Sequence, residues 1–276
     1  MNAGISSSDA SIHYYDGDYP SPVASLYPEN FDETTKYQGL AFDIDRYLAL
    51  AGETGGPVLE LCCGTGRVAI PLARSGLEVV GVDISVGMLR QLRDNLTREE
   101  DAVSERIALV EADVESLSIG REFPLAICAF NSLLCITDFE AQRAACRSIA
   151  RHLRPGGVLA LDIVNPLKLN IHGDPVPKPF FTRRNPHTGN TYTRFATMDA
   201  FDANHRQRLH GWYDEIDGEG RLRRQPYSMY WRPIFRFEIE LMLEEAGIEI
   251  VALEGGHRQE PYTADSPRMF VVGRKR

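Results

Sequence analysis

The stretch from 58 to 85, VLELCCGTGRVAIPLARSGLEVVGVDIS, restricts the fold of this chain more than any other segment. It places an apolar run before Gly64 and Gly66, apolar residues at helical spacing after them, and a second apolar run that ends at Asp83. This order predicts a strand, a glycine turn, a helix and a second strand ending in an acid, which is half of a nucleotide-binding α/β sheet. The two glycines let the backbone turn sharply and approach a ligand without hindrance from a Cβ atom. The Asp83 carboxylate can accept two hydrogen bonds from ribose hydroxyls.

The stretch by itself leaves the nature of the nucleotide open. Residues 64–69 also fit the pattern G-x-G-x-x-A, with Asp83 near the position expected for a ribose-binding acid, so an NAD site agrees with them. Glu60 is evidence against NAD binding, because a dinucleotide site favours apolar residues in that strand and needs room for a pyrophosphate. An acid there suits the ammonium of an amino-acid group or a structural hydrogen bond to the glycine turn.

Four motifs at matching intervals decide between these interpretations. The motifs are E-L-C-C-G-T-G, G-V-D-I-S, E-A-D-V and L-R-P-G-G, the last directly before an apolar strand-like run. Together they resemble the motifs of class I S-adenosylmethionine (SAM)-dependent methyltransferases. The resemblance covers about 43–165 and resumes at 238–273. It implies that SAM is the cofactor and that an NAD-dependent oxidoreductase is the weaker alternative.

The predicted fold class is α/β, with an inserted antiparallel β-sheet. The resemblance implies a Rossmann-like sheet of seven strands, the last antiparallel to the others, formed by 43–169 and 234–276. Residues 1–42 are expected to form an irregular or broken-helical arm that acts as a lid. Between the core segments, 170–233 alternates aromatic or aliphatic with polar residues and contains the hairpin turn D-G-E-G at 217–220. This pattern predicts an antiparallel sheet of about three strands.

The insertion resembles the extra sheet of small-molecule methyltransferases such as the amino-sugar N,N-dimethyltransferases. The resemblance implies that this sheet covers the acceptor site or joins two subunits into a homodimer, and the sequence leaves both open.

The resemblance also implies the positions of the cofactor contacts. Asp83 is expected to bind both ribose hydroxyls, with Ile84 and Met88 against an adenine face. Asp113 is expected at the adenine amino group, with helix capping as the alternative, and Glu60 at the methionine half. The residues expected to bind the cofactor are Tyr27, Glu60, Cys62, Gly64, Gly66, Arg67, Asp83, Ile84, Met88, Asp113, Val114, Phe130 and Asn131. In the arm, at least one of Tyr15, Tyr27 and Tyr37 is expected to close over the methionine end of SAM, with packing on the domain surface as the alternative for each.

Composition limits the classes of binding partner and indicates the cellular compartment. A formal net charge of −9 is unfavourable for binding the phosphate backbone of a nucleic acid, so a nucleic-acid substrate is not expected. The five cysteines contain no C-x-x-C pair and are expected to be reduced, in a cytoplasmic protein. No signal pattern and no apolar run of membrane-spanning length is present, so no membrane partner is expected.

The predicted activity is transfer of the SAM methyl group to a small molecule, on nitrogen in the first place and on oxygen as the runner-up. The segment after the fourth strand, Asn131-Ser132-Leu133, lacks the N/D-P-P-Y/F signature of enzymes that methylate planar nitrogens, and no metal set is present. No catalytic base can be named, and Cys135 stands where amino-sugar enzymes often have His. A cyclase-like reaction without methyl transfer remains a further alternative. The candidate acceptor residues are Ser132, Cys135, Trp212 and Trp231, followed by His210, Tyr213, His257 and Glu260.

Overall fold

The computed structural model describes residues 10–20, 28–37 and 40–276, with only the backbone described for Tyr37. The helices are α1 (Ala10–Asp18), α2 (Glu33–Tyr37), α3 (Asp43–Thr54), α4 (Ala69–Arg74), α5 (Val86–Leu96), α6 (Asp101–Ser104), α7 (Phe139–Arg151) and α8 (Arg236–Glu245). The strands are β1 (Val58–Leu61), β2 (Val79–Asp83), β3 (Ile107–Glu111), β4 (Phe123–Cys128), β5 (Leu153–Val164), β6 (Asp174–Arg184), β7 (Thr191–Met198), β8 (Gln207–Ile216), β9 (Leu222–Trp231), β10 (Ile248–Glu254) and β11 (Arg268–Lys275). Short 3₁₀ turns lie at Pro28–Asn30, Val114–Ser116, Ser132–Cys135 and Pro166–Lys168.

Seven strands form the main sheet in the order β10-β11-β5-β4-β1-β2-β3. The final strand β11 is antiparallel to both neighbours, and the other pairs are parallel, which confirms the predicted Rossmann-like sheet. The strand order reverses at β1, which lies between β2 and β4. In open α/β sheets such a reversal creates a crevice at the carboxyl ends of the strands, where ligands bind.

Helices cover both faces of this sheet. Alternate residues of β1 face opposite sides: Leu59 joins an apolar cluster with α7 and α8, whereas Val58 joins a second cluster with α3, α4 and α5. Strands buried on both faces read as continuous apolar runs, as β4 does. Ser85 directly precedes the apolar helical run of α5, a position that predicts an N-cap, and its hydroxyl does accept a hydrogen bond from the Met88 N–H at 3.3 Å.

A second sheet is formed by the four antiparallel strands β6-β7-β8-β9, so the expectation of about three strands was one short. The missed strand is β6, which carries Pro175, Pro177 and Pro179. Proline cannot donate to a strand ladder and is tolerated at a sheet edge, which is where β6 lies. The predicted hairpin turn is present between β8 and β9, where the Gly220 N–H donates to the Asp217 carbonyl at 2.9 Å.

The N-terminal arm is broken-helical in its described parts, with α1, a 3₁₀ turn and α2 in succession. Helix α1 packs against the second sheet and carries Tyr14 into an aromatic cluster with Tyr192, Tyr213 and Tyr227. None of the helices in the described segments has the length and apolar character needed to cross a membrane.

Candidate active site

The two turns at the carboxyl ends of β1 and β2 are joined by Asp83. Its Oδ2 accepts a hydrogen bond from the Gly64 N–H and its Oδ1 accepts one from the Ser85 N–H, both at 2.8 Å. The side chain is almost fully buried, and burial raises the pKa of the carboxyl above its usual value while these backbone donors oppose the rise. Each carboxylate oxygen has room for a second hydrogen bond, so Asp83 can hold the turns and still accept from a ligand.

The two glycines of the turn are required for different reasons. Both have positive φ angles, 54° at Gly64 and 89° at Gly66, a region that side chains other than glycine's adopt at a cost. A Cβ atom on Gly66 would meet the Leu92 side chain, so this glycine lets α5 pack against the turn. A Cβ atom on Gly64 would lie 3.7 Å from the ring of Tyr15. Tyr15 of the arm therefore lies over the glycine turn.

Glu60 is a buried acid with an incomplete set of partners. One side of its carboxyl accepts from the Ala69 N–H at the start of α4, and Oε2 has no hydrogen-bond partner among the described residues. Burial raises the pKa of Glu60 to about 8, and Arg67 opposes that rise. An unpartnered buried carboxyl oxygen is costly unless a ligand completes it. Its position beside the turn suits a cationic ligand group.

Arg67 carries its charge into the same region. Its guanidinium forms an ion pair with the fully buried Asp43, including a 3.3 Å contact from Nη1 to Oδ1, and lies 5.6 Å from the centre of the Phe130 ring. The pair keeps Arg67 charged and oriented. The sequence indicated a cofactor role for Arg67 but gave no sign of this partner.

Aromatic rings and a thiol form the wall of a recess between the arm and the end of β4. The rings of Tyr15 and Tyr19 lie 4.9 Å apart, and Tyr19 meets Phe130 edge-on at 5.0 Å. Cys135 keeps accessible surface, yet burial raises the pKa of its thiol to about 12. Burial likewise raises the pKa of the Tyr15 hydroxyl well above the usual value, and this hydroxyl lies close enough to the Cys135 thiol to interact with it electrostatically. We call the space between these groups the recess.

Three of the four leading acceptor candidates meet at this recess. The indole N–H of Trp231 lies near enough to the Cys135 thiol to lower its pKa, although it makes no regular hydrogen bond to a described residue. The 3₁₀ turn that begins at Ser132 contacts the end of β9, where the Arg232 N–H donates to the Leu134 carbonyl at 2.8 Å. The Ser132 hydroxyl itself donates to the Ala129 carbonyl.

Trp212 does not join this group. It pairs with Pro226 in the ladder between β8 and β9, so it lies on the opposite face of the sheet from Tyr213 and Trp231. There it stacks on Phe195 at 5.1 Å and lies under the Arg224 guanidinium. The structure therefore does not bring Trp212 together with Ser132, Cys135 and Trp231.

The arm is attached to the inner face of the second sheet through Asp18, a residue that the sequence-based reasoning missed. The buried Asp18 carboxylate accepts from the Tyr192 hydroxyl at 2.8 Å, the Tyr213 hydroxyl at 2.7 Å and Arg194 Nη1 at 3.0 Å. Burial raises the pKa of Asp18, and Arg194 opposes it. Arg194 could have indicated this contact from the sequence. It lies on the same face of its strand as buried aromatic residues, and a buried cation there needs a carboxylate partner. The Tyr213 hydroxyl, a candidate acceptor group, is thus hydrogen-bonded to the arm.

The remaining candidates are dispersed. Asp113 caps the following 3₁₀ turn through a 2.9 Å bond from the Glu115 N–H, which is the structural alternative stated for it, and no described residue donates a hydrogen bond to its second oxygen. Ile84, directly after Asp83, exposes 54% of its surface beside the crevice. The other positions are as follows: Met88 and Val114 are buried, Cys62 lies next to Cys128, His210 pairs with Asp199, His257 lies 3.3 Å from Asp162, and Glu260 is exposed. Tyr27 and the side chain of Tyr37 lie outside the described residues.

Comparison with known proteins gives a consistent result. A sequence-family model described as a methyltransferase domain matches residues 58–157. The cypemycin N-terminal methyltransferase of a Streptomyces species is 30% identical over 234 residues, which cover 85% of this chain and 88% of that protein. A dTDP-3-amino-3,6-dideoxy-alpha-D-glucopyranose N,N-dimethyltransferase of Streptomyces fradiae is 30% identical over 52% of this chain and 54% of its own length. The structure of the CcbJ methyltransferase from Streptomyces caelestis, 25% identical, superposes with a TM-score of 0.72 over 94% of this chain and 97% of that one.

Proposed function

This chain belongs to the SAM-dependent methyltransferases, and on that basis we propose that it methylates the nitrogen of a small-molecule amine. The observation that carries the choice of nitrogen is that the Cys135 thiol and the Tyr15 hydroxyl, which face the recess, are not available as bases. Burial raises the pKa of the Cys135 thiol to about 12 and that of the Tyr15 hydroxyl even further, so both are neutral near pH 7. A neutral amine needs no strong base to attack, whereas a hydroxyl does.

Four observations support the fit of SAM to the residues at the crevice. Asp83 has uncommitted lone pairs for the ribose hydroxyls, and the exposed Ile84 beside it offers an apolar face to adenine. The unpartnered oxygen of Glu60 suits the ammonium of the methionine half. Asp113, with one oxygen free of its cap, is proposed at the adenine amino group. When bound, SAM supplies an electrophilic methyl group on a sulfonium sulfur.

The protein's own contribution to the reaction is to position the acceptor and to exclude water. The acceptor nitrogen must lie in line with the sulfur–methyl bond, and such positioning can supply about 7–11 kcal/mol of the barrier reduction. Tyr15 and Tyr19 of the arm close one side of the recess, and Phe130 closes the end of β4. This arrangement supports a role of the arm and the second sheet together as the cover of the acceptor site.

The walls of the recess also favour an amine. Tyr15, Tyr19, Phe130 and Trp231 present aromatic surface, and an ammonium over such a ring gains about 0.5–2 kcal/mol. The two curated relatives named above act, by their names, on a peptide N-terminus and on the amino group of a deoxysugar. Both acceptors are amines, which supports the same class for this chain without identifying the molecule.

The proposal is tested with purified protein, SAM and pairs of acceptors that differ only in the nucleophile. Suitable pairs are an amino-deoxysugar nucleotide with its hydroxyl counterpart, and a short peptide with its N-terminal hydroxy-acid analogue. We expect a product heavier by one CH₂ unit and one equivalent of S-adenosylhomocysteine from an amine only. Its rate should rise with pH until the amine is deprotonated and then level off. Faster methylation of the hydroxyl member, or S-adenosylhomocysteine without a methylated product, would contradict the proposal.

A further inference from the structure

Two consecutive residues at the end of β4 have an unusual backbone conformation. Phe130 and Asn131 have φ angles of 47° and 67°, in the left-handed region that residues other than glycine rarely adopt. For a bulky residue such as Phe this conformation costs about 1–3 kcal/mol, and it persists only where the surroundings enforce it. Such residues concentrate at functional sites. The pair lies at the strand reversal between β1 and β4, where the crevice opens.

The contacts of Asn131 show what enforces the turn. Its N–H donates to the Asp162 carbonyl at 2.9 Å, and its side-chain Oδ1 accepts from the Val164 N–H at 2.6 Å. The same Oδ1 accepts from Nη2 of Arg268 at 3.1 Å. Because the amide oxygen faces two donors, the orientation of the carboxamide is fixed, and its NH₂ group makes no hydrogen bond within the described part of the chain.

Arg268 contacts both residues of the turn. Besides bonding Asn131, its guanidinium lies 5.1 Å from the centre of the Phe130 ring. Arg268 is held in turn by Asp162, whose Oδ1 accepts from its Nε at 2.9 Å, and both side chains are buried. Arginine suits this role because its planar guanidinium can bond a carboxylate, bond an amide oxygen and stack on a ring at once, and lysine cannot.

We propose that Arg268 is a positioning residue for methyl transfer: it clamps Phe130 and Asn131 in the left-handed turn and so fixes the end of β4 against the transferred methyl group. This inference rests on the proposed site of SAM at the crevice. Arg268 acts through the turn and touches neither reactant. Displacement of the turn by about 1 Å would lower the rate about 100-fold, while the polar contacts proposed for SAM at Asp83, Glu60 and Asp113 stay in place.

The test compares Arg268→Met and Arg268→Lys with the parent enzyme. For Arg268→Met we expect the SAM dissociation constant to stay within about threefold of the parent value. We expect kcat with the best amine of the panel to fall about 100-fold. Lysine keeps the charge beside Asp162 but cannot stack and bond in the same way, so Arg268→Lys should recover folding stability and only about a tenth of the parent kcat.

The matched control is Arg46→Met. Arg46 is also buried, pairs with Glu254 at 2.7 Å and lies 5.7 Å from the Phe270 ring, but it does not contact the β4 turn. The Arg46→Met variant therefore loses a buried ion pair and a contact with an aromatic ring, as Arg268→Met does, but at a different place in the molecule. If Arg46→Met lowers kcat per SAM-binding molecule as much as Arg268→Met, or if Arg268→Met lowers only the melting temperature, Arg268 is merely structural and the inference is wrong.

Two further measurements make the result independent of folding and of the acceptor. If Arg268 acts through Asn131, the double variant Arg268→Met/Asn131→Ala should be no slower than the slower single variant, whereas additive losses would contradict the clamp. SAM labelled with carbon-13 in its methyl group reports the position of that group in the binary complex. Its resonance should move in Arg268→Met and Arg268→Lys and stay in Arg46→Met. Should no amine turn over, the proposed acceptor class fails, and this resonance still decides the role of Arg268.

Discussion

The glycine turn and the interface between the arm and the second sheet both bury a carboxylate, but they treat it in opposite ways. Glu60, beside the turn, has an oxygen without a partner among the described residues. Asp18, at the interface, accepts from two tyrosine hydroxyls and an arginine. A buried polar group with its partners complete stabilises the fold, and one with a partner missing is suited to a ligand. The difference separates a binding site from a structural joint, although both residues look alike by burial.

The largest expected effect is at the joint. Asp18→Ala leaves Arg194 buried without its carboxylate, and breaking a buried ion pair costs about 3–5 kcal/mol. We expect a loss of that size in the free energy of unfolding from urea titration, with faster hydrogen exchange over 10–20. The control is Asp45→Ala, an exposed acid on α3 for which we expect a change near zero. Equal losses in the two variants would remove the contrast between the two regions.

At the glycine turn the expected effect is on binding. Asp83→Ala removes charge-assisted hydrogen bonds to the ribose and should weaken SAM binding by about 1.5–3 kcal/mol in calorimetry. Asp113→Asn keeps one acceptor oxygen and should cost less than Asp113→Ala. Because Asp83 also holds two backbone N–H groups, affinity must be compared at equal folded fraction. Unchanged affinity of folded Asp83→Ala would show that its bonds are structural only, like those of Asp18.

The pH dependence of stability sharpens the same comparison. Burial raises the pKa of Glu60 to about 8, above the usual value of an unfolded chain, so the folded state holds a proton that the unfolded state has released. The contribution of Glu60 to the free energy of unfolding is fully present at low pH. It is lost as the pH rises toward 8, by about 1 kcal/mol per pH unit. We expect the melting temperature of the SAM-free protein to fall between pH 6 and 8 more than that of Glu60→Gln. Parallel curves for the two proteins would mean that Glu60 is already ionised.

The smallest expected effect concerns the ring that links the two regions. Tyr15→Leu removes the aromatic contact over Gly64 and should weaken SAM binding by about 0.5–1 kcal/mol while changing the melting temperature little. Tyr14→Phe, which loses the hydroxyl bond to Glu215, should do the reverse and lower stability without altering affinity. If both variants change only the melting temperature, the arm packs on the domain and does not close over SAM.

Sequence reasoning succeeded where the interacting residues lie close together in the chain. The turn at Gly64, the cap at Ser85 and the acid at Asp83 all lie within one strand–helix–strand unit, so local pattern contains their geometry. It failed where partners are distant. Nothing near Asp18 identifies Tyr213, 195 positions away, as its donor, and nothing near Asn131 points to Arg268.

The second sheet shows an intermediate case. Its strand pattern was recognised, but which face each aromatic residue occupies depends on register, and register follows from pairing with distant strands. This is why the sequence alone did not show that Trp231 and Trp212 lie on opposite faces of the sheet, with only Trp231 on the side of the recess. The edge strand β6 was missed because its prolines suppress the usual strand signal, and only its position at the edge makes them tolerable.

The hydrogen bond between Asp18 of α1 and Tyr213 also determines when α1 can dock during synthesis of the chain. The acid Asp18 leaves the ribosome 195 positions before its last partner, which at 5–20 residues per second is roughly 10–40 s earlier. Throughout that interval the glycine turn, which is complete by residue 85, can fold while the helix destined to lie over it has no surface to dock on. We therefore expect the nascent chain to pass through a state in which the glycine turn is uncovered and Tyr14 is exposed to solvent, until the second sheet has formed.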